Sequence, residues 1–227
     1  MAQIIALDTS TDACSVALQT ADQTLVRFEV APRKHTKLLL PMVESLLQEA
    51  NIKVSDLDMI AFGRGPGSFA GIRIATGAAQ GLALAYETPV YGVSTLEAIA
   101  LRALESYPDA QYILAALDAR MDELYWCCYR VEAGAVLPMQ EERVSAPSAV
   151  QLPVSASWVI AGSGVSYLHS SPEIAPQVVH SDSEIYPEAR IMVQLAQRAF
   201  DAGTLFKPEE AQPVYLRDGS WKKKDEQ

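Results

Sequence analysis

One arrangement of elements occurs twice in this chain: a strand, a polar turn that opens with an aspartate, and a second strand. The first copy has apolar runs at 4–8 and 15–19 around Asp8-Thr9-Ser10-Thr11, and a third strand over 25–30 follows. The second copy has runs at 112–117 and 124–131 around Asp118-Ala119-Arg120-Met121-Asp122-Glu123. Because each copy then alternates strands and helices, the repetition predicts a duplicated α/β architecture with a boundary near residue 105.

Hydrophobic periodicity and turn residues place the remaining elements. Apolar residues from 39 to 50 recur at helical spacing, with Pro41 in the first turns. The predicted elements are a helix over 38–50, a strand over 59–62, a helix over 69–86, a strand over 89–93, a helix over 95–104, a strand over 158–161 and a helix over 187–202.

The segment from Gly63 to Arg73 joins a short apolar strand to a long helix through a glycine-rich turn. Ser68 stands where it can cap that helix, which would aim free backbone N–H groups at an anion. No Lys-Ser or Lys-Thr follows at Walker A spacing, and the next strand ends without the acidic residue of a dinucleotide site. Anion binding and a purely structural tight turn remain equal alternatives here.

The two aspartate turns could complete a weak nucleotide cleft with the glycine turns. Hydroxyl and N–H groups would contact phosphates, and an aspartate would hold a cation or its waters. A turn that only closes a hairpin is the simpler interpretation of Asp8, Thr9 and Ser10 taken alone. The candidate residues are Asp8, Thr9, Ser10, Gly65, Gly67, Ser68, Asp118, Gly162 and Gly164.

Composition and charge exclude several function classes. A formal net charge of −10 argues against independent binding of tRNA, DNA or an anionic membrane, because such binding needs cationic side chains. The only basic run, Lys222-Lys223-Lys224, is typical of a solvated tail. No apolar run is long enough to span a bilayer and no export signal is evident, so a cytoplasmic protein is expected.

Catalytic groups are sparse. The three histidines, His35, His169 and His180, are far apart in sequence, so a metal site would need ligands assembled by coincidence. His35 is interpreted as a surface or capping residue at a helix start. No nucleophile elbow is present, and the three cysteines show no metal or catalytic spacing.

Two neighbouring helices suggest a protein–protein surface. The helix over 38–50 is apolar beyond a single stripe, and the helix over 69–86 has one side made almost entirely of glycine and alanine. Close packing within the protomer is the alternative reason for that smooth side. The interface prediction comprises Leu38, Leu39, Met42, Val43, Leu46, Gly71, Ile74, Ala75 and Ala78.

Several of these segments together resemble the bacterial TsaB (YeaZ) family. The matching residues are Leu7 to Thr11 with Ser15 to Leu18, Gly63 to Ile74, Gly92 to Leu96, Asp118 to Tyr125 and Pro213 to Arg217. The resemblance runs nearly end to end. One departure is Ala70, where the family usually has threonine, so a hydroxyl role at that position is in doubt.

The resemblance implies a fold of the actin/Hsp70/sugar-kinase type with two ribonuclease-H-like subdomains. They would span 1–105 and 106–217, with a polar tail at 218–227. The catalytic paralogue, TsaD, carries two metal-binding histidines, and here Thr95 and Ile99 stand at those positions. Neither side chain replaces an imidazole ligand, so the resemblance implies a non-catalytic subunit.

The expected function is that of a scaffold for threonylcarbamoyl transfer to adenosine 37 of tRNAs that decode ANN codons. The resemblance implies a homodimer that exchanges for a heterodimer with TsaD through the N-terminal helices, a third ATP-hydrolysing subunit, TsaE, and tRNA contact only through the complex. No cofactor is expected beyond weak ATP or ADP binding. The rival interpretation is an independent nucleotide-dependent phosphotransferase or a glycoprotease-like (M22) metallopeptidase built on Asp8 and Asp118.

Overall fold

A computed structural model describes residues 1–217 of the chain. In chain order its elements are β1 (Ile4–Asp8), β2 (Ala13–Gln19), β3 (Thr24–Val30), α1 (His35–Ala50), β4 (Met59–Gly65), α2 (Phe69–Leu84), β5 (Val90–Ser94), α3 (Thr95–Ser106), β6 (Tyr112–Arg120), β7 (Glu123–Glu132), β8 (Ala135–Pro138), β9 (Arg143–Ser145), β10 (Trp158–Ala161), α4 (Val165–Leu168), β11 (Val178–Asp182) and α5 (Ala189–Asp201).

The first sheet has the strand order β3-β2-β1-β4-β5. Its first three strands form an antiparallel meander, and β4 and β5 then run parallel to β1. The second sheet, β11-β10-β6-β7-β8, repeats this order, with an antiparallel β6-β7-β8 meander followed by parallel β10 and β11. The predicted duplication is confirmed, and both halves have the ribonuclease-H-like topology.

The helices form layers on both faces of the first sheet. Alternate residues of β1 face opposite sides, so Ile5 and Leu7 pack with α1 and α2, while Ile4 and Ala6 pack with α3 and α5. The core cluster that holds α3 and α5 also contains β6 residues such as Ile113. These two helices therefore lie between the sheets.

The layers do not follow the boundary near residue 105. Helix α5 comes late in the chain but packs against β1, β2 and β4 of the first sheet, and α3 packs against β6 and β8 of the second. Residues after 105 therefore complete the first lobe. Within residues 1–217 no helix has both the length and the apolar character needed to cross a bilayer. The predicted Lys222–Lys224 tail lies outside the described residues.

Candidate functional site

Asp8 lies at the end of β1 and is fully buried. Its Oδ1 atom accepts hydrogen bonds from the N–H of Ser10 at 3.2 Å and from the Ser10 hydroxyl at 3.0 Å. Its Oδ2 atom has no hydrogen-bond partner among residues 1–217. Burial raises the pKa of Asp8 to about 7, against a usual 3.8, although the two Ser10 hydrogen bonds oppose the shift. This carboxyl group is enclosed by protein.

Gly63 explains how the chain accommodates that carboxyl group. A Cβ atom at residue 63 would lie 1.9 Å from Asp8 Oδ2 and 3.4 Å from the terminal methyl group of Met192. Any side chain at this position would therefore collide with the aspartate. The turn that begins at Asp8 therefore packs directly against β4 at Gly63, and Met192 of α5 lies close to the same place.

The first turn of α2 is covered by the turn between β1 and β2. The N–H of Ser68 donates to the carbonyl oxygen of Ser10 at 2.7 Å, and the hydroxyl of Thr9 donates to the carbonyl oxygen of Gly71 at 2.6 Å. A Cβ atom would lie 2.4 Å from the Ser10 oxygen at Gly67, and 1.9 Å from the Thr9 oxygen at Gly71. The glycines are therefore needed for close packing of two backbone segments.

This packing accounts for some of the N–H groups at the helix start. Ser68 is the N-cap as predicted, and its hydroxyl accepts from the N–H of Gly71 at 3.4 Å. The N–H groups of Ser68 and Gly71 both have hydrogen-bond partners within the chain. Anion binding by the other N–H groups of this turn stays a prediction.

The second aspartate turn is organised in a similar way. Asp118 Oδ1 accepts from the N–H of Arg120 at 2.7 Å, and Oδ2 lies 2.9 Å from its guanidinium Nη1. The N–H of Asp118 donates to the Ser163 hydroxyl at 3.1 Å. The ion-pair partner of this carboxylate is the largely exposed side chain of Arg120, and a role of Asp118 in a nucleotide cleft stays a prediction.

The glycine turn at 162–164 packs directly on β6. Gly162 has a positive φ of 101°, and a Cβ atom there would lie 2.4 Å from the carbonyl oxygen of Ala116. The N–H of Gly164 donates to that same oxygen at 3.0 Å. The structure therefore joins Asp118 to the 162–164 turn in the second lobe, and Asp8, Thr9 and Ser10 to Gly67 and Ser68 in the first.

The segment that includes Pro213 to Arg217 bridges the two turn clusters. The N–H of Val214 donates to the carbonyl oxygen of Arg64 at 2.7 Å, and the Tyr215 hydroxyl accepts from Arg73 Nε at 2.7 Å. Arg217 donates to the carbonyl oxygen of Ala119 at 3.2 Å and pairs with the Glu123 carboxylate. This bridge was not predicted from the sequence, because nothing local to it indicates its distant partners.

Glu142 makes a second link between the lobes from the connection between β8 and β9. Its oxygens lie 3.2 and 3.3 Å from the guanidinium of Arg64, and it accepts from the Ser94 hydroxyl. Nearby Glu97 has its pKa raised, mainly by burial, while Arg64 lowers it and Glu142 raises it further. The sequence carries no signal for this contact, since its partners are 78 and 48 positions away.

Thr95 and Ile99 occupy the first two turns of α3, and both are fully buried. The Thr95 hydroxyl has no hydrogen-bond partner among the described residues, and a Cβ atom at Gly162 would lie 3.6 Å from Ile99 Cδ1. No group of three or more His, Cys, Asp or Glu side chains in residues 1–217 could hold a metal ion. The residues at this place do not fit a metal centre.

The predicted helical interface divides into buried and accessible parts. Leu39, Val43 and Leu46 belong to the protomer core, as do Gly71 and Ala75. That part of the prediction is corrected, because these residues are already covered within the chain. Leu38, Met42, Ile74 and Ala78 are half-buried at the edge of the same core. What contacts them stays a prediction.

The accessible helix surface, defined here by Leu40, Gly77 and Gly81, is apolar and smooth. Leu40 is 53% exposed, and a Cβ atom at either glycine would meet nothing within 4 Å. Beside it runs an open groove of about 600 Å³, lined mostly by apolar side chains of α1, α2 and the segment between α1 and β4. The lining includes Leu40, Val43, Leu47, Ile52, Val54 and Leu82.

His35 differs from its sequence interpretation. It begins α1 but is only 8% exposed, and its Nε2 atom has no hydrogen-bond partner within residues 1–217. Lys34 precedes the helix and no side chain caps it. The prediction of a surface or capping histidine is wrong, because the side chain is buried and the helix start has no side-chain cap.

Two lobes, each with an antiparallel three-stranded meander followed by two parallel strands, define a chain of the actin/Hsp70/sugar-kinase fold class. Comparison with known proteins then narrows the class. Residues 23–202 match the family model described as TsaD, tRNA N6-adenosine threonylcarbamoyltransferase.

Relatives that match nearly the full chain identify the family more closely. The chain is 39% identical to the tRNA threonylcarbamoyladenosine biosynthesis protein TsaB of Escherichia coli, over 97% of both chains. It is 36% identical to the protein of that name from Haemophilus influenzae, over 97% of this chain and 96% of the relative. The crystal structure of YeaZ from Pseudomonas aeruginosa superposes with a TM-score of 0.89 at 45% identity, covering 95% of this chain and all of that one. The chain belongs to the TsaB (YeaZ) family.

Proposed function

We propose that this chain is a non-catalytic scaffold subunit in the synthesis of N6-threonylcarbamoyladenosine on tRNA. The single observation that carries the proposal is the buried hydroxyl and hydrocarbon of Thr95 and Ile99 where the catalytic paralogue has histidine ligands. The described residues also contain no group of three or more His, Cys, Asp or Glu side chains that could hold a metal ion, so in this proposal the chain acts by holding a partner in its active state.

The partner in this proposal is the TsaD paralogue, and the accessible helix surface is where it would bind. Leu40 together with Gly77 and Gly81 supplies an apolar, flat area on which another helix could approach closely. The chain would form a homodimer through this same surface when TsaD is absent. TsaE would join the resulting complex as its ATPase.

The net charge of the chain bears on how it would reach tRNA. With a net charge of −10, the chain would reach tRNA only within the complex, in the cytoplasm. It would work without a cofactor of its own, and any ATP or ADP binding in the cleft would be weak. Calorimetry with Mg-ATP tests this point, and tight binding with turnover would favour the rival phosphotransferase.

Reconstitution tests the scaffold role. TsaD, TsaE, ATP, threonylcarbamoyl-AMP and tRNA are combined with and without this chain, and the modified adenosine is measured. Product is expected only when the chain is present. Equal product in its absence contradicts the proposal, as would modification of tRNA by the purified chain alone.

A size series at one position tests the surface. Gly81→Trp places a large ring where there is open space, so the variant should fold normally but lose TsaD binding. Gly81→Ala adds one methyl group at the same position and is the matched control, expected to retain binding. Full binding and product with Gly81→Trp would show that TsaD contacts another surface.

A further inference from the structure

Strand β3 forms an open edge of the first sheet. It pairs with β2 along all seven of its residues, and nothing in residues 1–217 pairs with its other side. An unpaired edge presents a row of backbone donors and acceptors that another strand can bind. Its sequence, Thr-Leu-Val-Arg-Phe-Glu-Val, is rich in β-branched and apolar residues and has no proline, glycine or lysine.

The other three sheet edges each carry a feature that discourages pairing. The end of the first sheet at β5 is covered by Phe206, which exchanges two backbone hydrogen bonds with Val90 at 2.9 and 3.2 Å. Strands β8 and β9 both pair with β7 and share one edge. They have only four and three residues, and β8 ends in Pro138. The register of β11 shifts against β10. β3 therefore stands apart as a long, regular and unprotected edge.

The side chains of β3 are accessible on the half that is closest to α1 in sequence. Phe28 is 44% exposed and Val30 is 47% exposed, while Phe28 keeps one contact with Tyr186 at 6.3 Å between ring centroids. Because side chains alternate along a strand, Val26, Phe28 and Val30 lie on the same face of β3. On this face Val26 packs against the core cluster that contains α5. Arg27 lies on the opposite face, where it pairs with Glu49 of α1.

We propose that the β3 edge binds the β3 edge of a second copy of this chain, in antiparallel orientation about a two-fold axis at Phe28. In this register Val26 of one copy lies opposite Val30 of the other, and the two Phe28 side chains face each other. Arg27 of each copy lies opposite Glu29 of its partner. The two five-stranded sheets join into one.

Charge complementarity selects this register. Glu29 is exposed and has no ion-pair partner among the described residues, so it could share the guanidinium of the second copy's Arg27 with Glu49 of that copy. A two-fold axis one residue earlier would put Arg27 opposite Arg27 and Glu29 opposite Leu25. Opposite charges directly across a strand pair stabilise it, whereas like charges destabilise it.

The consequence is a second self-association surface, independent of the proposed function. Leu40, Gly77 and Gly81 belong to α1 and α2 and are not part of β3, so in this proposal a β3-linked dimer leaves the two helix surfaces for other partners. Each could then bind one TsaD subunit.

Disulfide trapping tests the arrangement in the full chain. Residues directly opposite each other in an antiparallel pair have Cα atoms about 4.5–5.5 Å apart, which a disulfide can span. Phe28→Cys should therefore give a crosslinked dimer under mild oxidation. The parent is the background control, because Cys14, Cys127 and Cys128 are all buried. Leu40→Cys is the matched exposed control, and it reports on the helix surface instead.

Charge exchange supplies an independent readout by sedimentation equilibrium. All proteins in this series also carry Gly81→Trp, so that self-association through the helix surface does not contribute to the measured dissociation constant. Arg27→Glu alone and Glu29→Arg alone each create two like-charge pairs, so each should raise the dimer dissociation constant by roughly ten-fold. An equimolar mixture of the two variants restores both opposite-charge pairs and should regain the parental constant. Dimers trapped only by Leu40→Cys, or no rescue in the mixture, would overturn the proposal, as would a Gly81→Trp protein that stays monomeric at all concentrations.

Discussion

The N–H of Ser68 donates to the carbonyl oxygen of Ser10 at 2.7 Å, so the turn between β1 and β2 closes over the first turn of α2. A related closure occurs in the second lobe, where Gly164 donates to Ala116. In both lobes, a backbone N–H of the glycine-rich turn donates to a carbonyl oxygen of a neighbouring strand or hairpin. The glycine segments therefore allow close packing in each lobe, and their effect on the free energy of unfolding can be measured with glycine-to-alanine variants.

Gly71→Ala should destabilise the fold, while Gly77→Ala in the same helix should not. A methyl group at residue 71 would lie 1.9 Å from the Thr9 carbonyl oxygen, so the hairpin must move and its hydrogen bonds weaken. At residue 77 the methyl group meets nothing, and replacing an interior glycine stabilises a helix by up to about 1 kcal/mol. Urea unfolding measures the free energy of unfolding of both variants relative to the parent. Equal changes in the two variants would contradict the packing described for Gly71.

Asp8→Asn should change how stability depends on pH. The folded-state pKa of Asp8 is about 7, above its usual 3.8, because burial disfavours the charged form. The folded state therefore holds the proton more tightly, and the stability that this gives is complete below pH 3.8 and lost as the pH rises through 7. The loss reaches up to about 1.4 kcal/mol per pH unit within that window.

The neutral amide introduced by Asp8→Asn cannot lose a proton, so the variant should gain stability relative to the parent as the pH rises from about 4 to about 8. Chemical denaturation at a series of pH values measures this difference. The difference should be nearly constant at higher pH, where Asp8 is ionised in both states. A flat difference across the whole range would mean that the folded state does not raise the pKa of Asp8.

Glu142→Gln should weaken the connection between the lobes. The variant keeps the shape of the side chain but removes the charge that faces Arg64 and the strong acceptor for Ser94. Because the pair is partly exposed, we expect a loss of about 1 to 2 kcal/mol in the free energy of unfolding. Glu141→Gln, at the exposed neighbouring residue, is the control and should have little effect.

A double-mutant cycle with Arg64→Gln isolates the contact itself. If the two residues interact directly, the effects of Arg64→Gln and Glu142→Gln should add to more than that of the double variant. Strict additivity would show that Glu142 acts through Ser94 alone.

Much of the fold was predictable from sequence because local patterns define it. The strand over 158–161 and the start of α2 at Phe69 were predicted correctly, and the repeated aspartate turns indicated the duplication. Strands β8, β9 and β11 were not predicted. They are short and polar or contain proline, and they form only because a longer neighbour pairs with them.

The candidate site was less predictable, for a related reason. Glycine in a turn shows that something approaches the backbone closely, but not whether that group is a phosphate or a carbonyl oxygen of the same chain. Likewise, helical spacing placed Leu39 and Leu46 on an apolar surface but could not show that the first sheet covers them. Contacts such as Arg64 with Glu142 depend on the final arrangement of two lobes and leave no local trace.

Arg217 stabilises a strained hairpin tip, and its replacement should loosen that tip selectively. Arg120, Met121 and Asp122 have φ angles of 62°, 58° and 58°, a left-handed conformation that costs non-glycine residues about 1 kcal/mol or more each. The guanidinium of Arg217 donates to the Ala119 carbonyl oxygen at 3.2 Å and pairs with Glu123, so it contacts both ends of the tip.

Arg217→Ala should therefore speed amide hydrogen exchange in residues 119–123, while exchange in the buried strand β10 stays as in the parent. Arg217→Lys is the matched control for charge, because a single ammonium group can pair with Glu123 but cannot donate to both partners in the same fork. We expect it to give an intermediate rate. Since Val214 donates to Arg64 independently of the Arg217 side chain, the bridge itself should remain in place. Unchanged exchange in the tip with Arg217→Ala would show that the left-handed residues are held by the strand pair alone.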